Sequence, residues 1–447
     1  MIPHAPVERW RSRTTFVLAL AIATVGVGNL WRFGWLLGDN GGAPFLLSYL
    51  FCLLGVGVPL LAAEISLGTH GRGSPLLSVA WASTVAGRSR LWLAIPLLTS
   101  LAALVLLGAC MLVGGWALLY AFEQQLGTFA AAPGDEVADF LARQLDQPRG
   151  LLAGQTVFAL AAGAVSAAGV RRGLGVFAWV AVPVLVWLLG ILIRYALEFG
   201  DLAEAGAYLF AWQPLDFDGG SFLAALGHAL FTLSIGVAVG MSFGAYAPAR
   251  LPVLRSVMAV ALFDLVVGVA AGVLLFPILA AANVQPEREF ALLFLAAPYA
   301  YGTMPFGDFY GMLFFLLTAL VALGSAVALL EPVLGILVQQ LRLRRRLAGA
   351  VLVMVAWGLS CLATLGMGDG GQLGLLINQV SAQLLIPPAM LLLALFVGWR
   401  LPRRLLRDEL SREPDALFTL WYFLLRFVAG PVVAFAWLWL ILAPGTL

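Results

Sequence analysis

The sequence contains no lysine, only three histidines and three cysteines, and charged residues of both signs make up 11% of the chain. All 25 basic residues are therefore arginines. Hydrophobic residues make up 62%, and the mean hydropathy is +0.99. Soluble globular proteins do not have this composition. The chain is therefore predicted to be a polytopic membrane protein whose first partner is the lipid bilayer.

The scarcity of reactive side chains excludes several classes of function. Cys52, Cys110 and Cys361 lie far apart in apolar segments, which indicates neither a disulfide framework nor a metal site. The histidines are also far apart, and no carboxylate pair has acid–base spacing, so nothing supports a membrane enzyme. Basic residues are not interleaved with aromatic ones, so no nucleic-acid partner is expected.

Long apolar runs dominate what is present. A spanning helix needs about 20 apolar residues. On that rule the sequence predicts eleven transmembrane helices, at about 14–36, 43–69, 91–122, 151–169, 174–198, 221–247, 253–280, 308–340, 347–366, 373–399 and 415–442.

Arginine placement orients these spans. Nineteen of the 25 arginines fall in the N-terminal tail or in loops that the eleven spans place on the same side. Basic residues are retained in the cytoplasm, so we expect a cytoplasmic N-terminus and an external C-terminus. Two external stretches, 123–150 and 199–220, are predicted to be polar loops. A third, 281–307, is more apolar and is either a lid over a cavity or an ordinary amphipathic loop helix.

Two of the apolar spans are interrupted by residues that membrane helices avoid. The first carries two glycines, an asparagine and an arginine between Gly26 and Arg32, and the sixth carries hydroxyls and glycines between Phe231 and Gly240. A broken backbone at membrane depth survives only beside protein or a water-filled cavity. Interrupted helices at matching positions of two halves indicate a transporter site. The first and sixth spans would then be corresponding members of two five-helix repeats.

Several motifs carry a family resemblance. The segment 25–33 (VGVGNLWRF), followed by 40–45 (NGGAPF), resembles the first-helix signature of the neurotransmitter:sodium symporter family, specifically its bacterial amino-acid transporters. Weaker matches follow at Pro59, Leu60, Glu64 and Gly68, at 113–116, at 231–236, and at Ser325 with Glu331 and Pro332.

The resemblance implies a fold and a place in the cell. The fold is an all-α polytopic membrane protein with eleven helices, a 5+5 inverted repeat and broken helices 1 and 6. The place is the inner (plasma) membrane of a bacterium. The whole chain, 1–447, would form one transmembrane domain, comprising a cytoplasmic tail 1–13, a first repeat 14–198, a second repeat 221–399 and an eleventh helix 415–442.

Sodium is the ion that the resemblance implies. Asp264 supports an ion site independently, because a carboxylate in an apolar span is costly unless it is paired. The resemblance places a first sodium at Thr24 (its carbonyl, with its hydroxyl as a further candidate), Asn29, Thr232 and Asp264. It places a second at Ile22, Val25, Val321, Gly324 and Ser325. Gly324 stands where the family usually has a side-chain oxygen, so this second site is expected to be weaker, completed by water or absent.

The substrate implied is a small amino acid. Gly26 stands where amine transporters of the family carry an acid, which favours a zwitterion with its own carboxylate. The ammonium group is expected at a carbonyl of Phe231 or Thr232. Cys110 replaces the family's carboxylate-binding tyrosine. The expected substrate-binding residues are Ala23, Val25, Val27, Gly28, Leu106, Cys110, Phe231, Thr232, Ser234, Val237, Ser325 and Leu329.

Gate residues follow from the same resemblance. Arg32 is expected to pair with Asn378 as the external gate, and Phe231 is expected to cover the substrate as an aromatic lid. Arg9 and Trp10 are expected to form a cytoplasmic latch.

Two further polar residues lie inside the apolar spans. Glu64 is expected to hydrogen-bond the broken backbone. His228 is either a proton site or, more simply, a hydrogen-bonded histidine.

The sequence thus predicts a sodium-coupled symporter of a neutral, hydrophobic amino acid that works by alternating access and has no enzymatic activity. Two alternatives remain open. One is proton coupling, prompted by Asp264, His228 and Gly324. The other is a sensor that binds an amino acid without transporting it, because several family positions are altered.

Overall fold

The computed structural model describes residues 8–249, 251–286, 290–368 and 384–442. Nearly all of this part of the chain is helical. In its first half the helices are α1 (Arg13–Thr24), α2 (Arg32–Asp39), α3 (Ala43–Gly71), α4 (Pro75–Val85), α5 (Arg90–Gln125), α6 (Gly134–Asp146), α7 (Arg149–Ala167), α8 (Val170–Phe199) and α9 (Leu202–Phe210).

The second half continues in the same way. Its helices are α10 (Gly219–Thr232), α11 (Val239–Ala245), α12 (Val253–Ala281), α13 (Ala297–Thr303), α14 (Gly307–Gln340), α15 (Arg345–Gly368), α16 (Ile386–Arg400), α17 (Arg403–Glu409) and α18 (Asp415–Leu442). Within the described residues, eight helices are long and apolar enough to cross a membrane: α3, α5, α7, α8, α12, α14, α15 and α18.

Helix α14 lies at the centre of the bundle. It packs along α5 and also contacts α1, α7, α8 and α15. Most of its side chains are buried, whereas α18 presents most of its surface outward. A helix that is apolar on all sides is suited to this position, because every face meets another helix.

The prediction that 123–150 and 199–220 are polar loops is wrong, because each contains a helix. In α6, Val137 and Phe140 are buried, and the Phe140 ring stands edge-on to Tyr120 at 5.5 Å. Apolar residues three apart give this segment one buried helical face. In α9, the Asp201 side chain accepts hydrogen bonds from two backbone N–H groups of the first turn and caps the helix.

The apolar stretch 281–307 packs onto the bundle. A π-helical turn, Leu292–Ala296, leads into α13. Phe294 is fully buried, with its ring 5.3 Å from Trp116, and the Pro305 carbonyl accepts a hydrogen bond from the Tyr195 hydroxyl. Aromatic contacts therefore hold this stretch against α5 and α8.

Helical backbone is absent from the two stretches rich in glycine and hydroxyl residues. Helix α1 ends at Thr24, Val25 and Gly26 are extended, and one 3₁₀ turn covers Val27–Asn29 before α2 begins. Between α10 and α11 the backbone takes positive φ at Ser234 (52°), Gly236 (77°) and Ala238 (58°). Three left-handed residues within five positions cannot continue an α-helix.

Candidate functional site

A buried polar cluster joins the two interrupted stretches. The Asn29 amide donates to Asp264 Oδ1 at 2.7 Å. The Thr232 hydroxyl lies 2.8 Å from both Asn29 Oδ1 and Asp264 Oδ2. All three side chains are at most 2% exposed. The cluster is assembled from the first interruption, the end of α10 and the middle of α12.

The chemistry of this cluster is that of a cation site. A hydroxyl has one proton, so Thr232 can satisfy only one of its two acceptors at a time. In the described part of the chain, no arginine or histidine forms an ion pair with Asp264. A buried carboxylate without a cationic partner is costly. Carboxylate, amide and hydroxyl oxygens together are the ligands that a hard cation prefers.

Tyr49 is a member of the cluster that sequence reasoning missed. Its hydroxyl donates to Asp264 Oδ2 at 3.4 Å, and the side chain is 1% exposed. The only sequence signal is a hydroxyl-bearing aromatic residue within the apolar run of α3. That signal is weak, because tyrosines are also common where spans meet the membrane interface.

Thr24 differs in part from the prediction. Its hydroxyl donates to the Ala21 carbonyl at 3.1 Å, within its own helix, so it does not point at the cluster. Threonine hydroxyls in helices commonly bond back to the preceding turn. Only the Thr24 carbonyl remains as a candidate ligand.

Glu64 connects α3 to the second interruption. Its Oε1 accepts a hydrogen bond from the Gly236 N–H at 2.8 Å, so the prediction that it bonds the broken backbone is confirmed. Gly240 makes this possible, because a Cβ there would lie 2.8 Å from both Cβ and Oε2 of Glu64. The carboxylate thus accepts a hydrogen bond from an N–H group that has no helical partner at the interruption.

The two interruptions also contact each other directly. The Ser234 hydroxyl donates to the Ala23 carbonyl at 3.2 Å. The Phe231 carbonyl already accepts the backbone N–H groups of Leu233 and Ser234, so both its lone pairs are used. Phe231 is therefore a poor ammonium acceptor, contrary to one of the two predictions, whereas Thr232 has no such competing pair in this turn.

The remaining predicted substrate residues differ in their burial. Val237, Ser325 and Leu329 are buried, and Leu106 and Cys110 are half-buried. The first N–H groups of the 3₁₀ turn, at Val27 and Gly28, have no partner within the turn.

Comparison with known proteins identifies this arrangement. Residues 7–123 and 156–443 match the family model of the sodium:neurotransmitter symporter family. The chain belongs to the sodium:neurotransmitter symporter family. The resemblance drawn from the first-helix motif is thereby confirmed. Family and fold are those of membrane transporters, and the family uses sodium.

Relatives that match almost the whole chain are also sodium-dependent transporters. An uncharacterized sodium-dependent transporter of Bacillus subtilis, YhdH, is 27% identical over 453 residues, with 99% of each chain covered. One of Haemophilus influenzae is 24% identical over 447 residues, covering 95% of this chain and 96% of that one. Among solved structures, MhsT in complex with L-phenylalanine superposes with a TM-score of 0.87 at 28% identity, covering 96% of this chain and 99% of that one.

The residues predicted to form an external gate lie partly within the described part of the chain. Phe231 is 41% exposed, and its ring lies 4.0 Å from where a Cβ on Gly28 would be. Arg32, four residues after Gly28, is also exposed. Asn378, its predicted partner, lies outside the described residues.

His228 is not the hydrogen-bonded histidine that was the simpler expectation. It is 3% exposed, and neither ring nitrogen has a hydrogen-bond partner among the described residues. Its ring stacks on Phe33 at 5.2 Å and lies 5.5 Å from Tyr49. Aromatic packing, rather than a hydrogen bond, holds the ring in place.

The segment before α1 contains Arg9 and Trp10, the two residues predicted to form a cytoplasmic latch. The Trp10 N–H donates to the Tyr246 carbonyl at 2.8 Å, and its indole N–H donates to the Phe243 carbonyl at 3.2 Å. Trp10 is 2% exposed. Arg9 takes part through its carbonyl, which accepts from the Arg171 guanidinium at 2.9 Å. The latch thus ties the N-terminal segment to α8 and α11.

A second cytoplasmic contact was not predicted. The Glu331 carboxylate, in the buried part of α14, accepts two hydrogen bonds from Arg345 and one from the Tyr246 hydroxyl at 2.8 Å. The Arg345 Nε donates to the Ser166 carbonyl at 3.1 Å. The sequence signal was Glu331 itself, an acid in an apolar run whose partner is visible only in three dimensions.

The five residues predicted for a second sodium are also buried together. They lie where α1 meets α14, and the Ser325 hydroxyl is 3.5 Å from the Val25 carbonyl. These residues are Ile22, Val25, Val321, Gly324 and Ser325.

Proposed function

We propose that this protein is a sodium-coupled symporter of a neutral, hydrophobic amino acid. The observation that carries the proposal is the Asn29–Thr232–Asp264 cluster between the two interrupted helices. Its oxygens suit a hard cation, and the carboxylate offsets the cation's charge inside the bilayer. Sodium bound there completes one side of the substrate site.

The substrate is a zwitterion that lies across the interruptions. Its carboxylate binds the free N–H groups of Val27 and Gly28, and its ammonium group binds the carbonyls of Ala23 and Thr232. The side chain contacts the apolar wall formed by Leu106, Val237 and Leu329. MhsT, the structural relative solved with L-phenylalanine, supports a hydrophobic amino acid.

The overall organisation of the proposal keeps eleven spans. The α1–α2 and α10–α11 pairs each count as one interrupted span, and α16 is the described part of the tenth. These three join the eight long helices. The helices form two inverted repeats, 14–198 and 221–399, followed by 415–442. The protein lies in the bacterial inner membrane, with the N-terminus cytoplasmic and the C-terminus external.

Transport occurs by alternating access. The exposure of Phe231 and Arg32, together with the burial of Trp10, supports a conformation that is open outside and closed inside. Phe231, Arg32 and Asn378 close over the bound substrate. Release of Trp10 and Arg9 then opens the cytoplasmic side.

The direct test is uptake into proteoliposomes. Each of the twenty radiolabelled amino acids is offered with an inward sodium gradient or with an equal potassium gradient. We expect one or a few hydrophobic amino acids to accumulate only with sodium. Asp264→Asn should raise the sodium concentration for half-maximal uptake about tenfold, equivalent to about 1.4 kcal/mol, whereas Asp218→Asn, at an exposed helix cap, should not. Absence of sodium-dependent uptake for all twenty would refute the proposal.

Proton coupling is the second candidate. It is favoured by Asp264, which has no cationic partner among the described residues, and by the partnerless ring of His228. Uptake that follows an inward pH gradient and ignores sodium would establish it. Ligand-induced thermal stabilisation without any flux would instead indicate a sensor.

A further inference from the structure

The contact between α1 and α14 leaves no space for a side chain at Gly324. A Cβ built on this glycine would lie 2.5 Å from the Ile22 carbonyl oxygen and 2.7 Å from Ile22 Cγ1. Neither distance is compatible with van der Waals packing. Ile22 is 3% exposed and Gly324 is buried, so the two backbones touch directly.

This contact lies at the position that the resemblance assigns to a second sodium. Gly324 supplies no side-chain oxygen. The Ile22 carbonyl oxygen lies 2.5 Å from where a Cβ on Gly324 would be, and the Val25 carbonyl has the Ser325 hydroxyl 3.5 Å away. A hard cation needs several oxygens that surround a space of its own size. Here the Ile22 oxygen packs tightly against Gly324, and the glycine adds no ligand of its own.

The Asp264 cluster, unlike the contact between Ile22 and Gly324, contains side-chain oxygens and a carboxylate that can bind a cation. The Thr232 hydroxyl lies within hydrogen-bond distance of side-chain oxygens of both Asn29 and Asp264, and the Asp264 carboxylate carries formal charge. A negative ligand offsets the cost of a buried cation. The carbonyls and the serine hydroxyl at the second position carry no formal charge.

We propose that this chain couples transport to a single sodium ion, bound at Asp264, and that direct packing of Ile22 on Gly324 closes the second sodium position. The proposal rests on the proposed function as a sodium symporter. It makes Gly324 a determinant of coupling stoichiometry, because any larger residue would force α1 and α14 apart.

The test counts ions on the purified full-length protein with ²²Na⁺ alone, so that it does not depend on the identity of the substrate. We expect saturation at one sodium per chain with a Hill coefficient of one. Asp264→Ala should weaken this binding at least tenfold, whereas Asp218→Asn should leave it within twofold. Two sodium ions per chain would overturn the inference and leave sodium symport intact. No saturable binding would overturn the proposed function itself.

A matched pair of glycine substitutions tests the steric part. Gly324→Ala should lower the melting temperature in detergent, because its Cβ meets the Ile22 carbonyl. Gly190→Ala, in α8, should lower it little or raise it, because no atom lies within 4 Å of its Cβ. If Gly324→Ala melts like the parent protein, the packing argument fails. If it does not fold, the ²²Na⁺ count on the parent protein still decides the stoichiometry.

Discussion

Single side chains substitute for the helical hydrogen bonds that the interruptions remove. Glu64 accepts the Gly236 N–H, and Ser234 bonds the Ala23 carbonyl. In lipid these groups would have no alternative partner, because no water reaches them. Such side chains stabilise a backbone whose unpaired N–H and C=O groups would otherwise be costly inside the membrane.

The hydrogen bond that Glu64 accepts is expected to contribute to the stability of the protein. Glu64→Ala leaves the Gly236 N–H buried and unpaired, which should destabilise the protein by about 1–3 kcal/mol. Glu64→Gln retains an acceptor oxygen and should cost clearly less. The melting temperature of both variants in the same detergent measures the difference. Equal losses would show that the charge, not the hydrogen bond, is what matters.

Residue-level prediction from sequence succeeded where a side chain is anomalous by itself. Asp264 is conspicuous in an apolar span because burying its charge is costly. Tyr49, which contacts it, is not conspicuous, because an aromatic ring in a membrane helix needs no explanation. The Thr24 hydroxyl was a further candidate ligand beside the Thr24 carbonyl, but it donates instead to the Ala21 carbonyl within α1.

The short segment before α1 ties two helices together on the side that we propose to be cytoplasmic. Glu8 accepts the Val170 and Arg171 N–H groups at 2.9 and 3.3 Å and so caps the start of α8. Trp10, two residues on, bonds the carbonyls at the end of α11. Movement of this segment would therefore free both helix ends together.

Trp10→Ala should open this side. Loss of a buried indole typically costs about 3–5 kcal/mol, and here the loss falls on the closed conformation. We expect the amides of α11 to exchange hydrogen faster, as measured by mass spectrometry. Trp187→Ala, on an outward face of α8, is the control and should leave α11 unchanged. Unchanged exchange in the Trp10 variant would argue against the latch.

Helix α17 is held against the end of α3 by charge. Glu409 lies 3.1 Å from His70 Nδ1. Burial raises the pKa of Glu409, but hydrogen bonds from His70 and Thr69 and the nearby charges of His70 and Arg72 lower it by more. Its pKa therefore lies below the ordinary value. A carboxyl with a lowered folded-state pKa stabilises the protein above its unfolded pKa, about 4.3, and this contribution is lost as the pH falls through the folded pKa.

Glu409→Gln should therefore lower the melting temperature at pH 7. The difference from the parent protein should persist down to about pH 4.3 and shrink as the pH falls further, through the folded-state pKa. Thermal melts across this range test the prediction. Asp408→Asn, at the exposed neighbouring position on α17, should show no such pH-dependent difference. A difference in melting temperature that persists unchanged at low pH would mean that the shape of the Glu409 side chain, and not its charge, explains the loss of stability.

The whole molecule has an orientation that arginine placement predicts. Leu215 is 96% exposed in the segment between α9 and α10, and Leu341 is 62% exposed just after α14. In a background without the three native cysteines, Leu215→Cys should react with an impermeant maleimide on intact cells. Leu341→Cys should react only after permeabilisation. The reverse labelling pattern would invert the proposed topology.

The sequence by itself determined the membrane environment, most long helices and the two places where helices must break. Each can be read from a short stretch of sequence, because charges and unpaired backbone groups raise the free energy wherever they lie in the bilayer. The structure alone decided which groups pair: Tyr49 with Asp264, Arg345 with Glu331, Ile22 against Gly324. These partners are far apart in sequence, and only helix packing sets the distances between them.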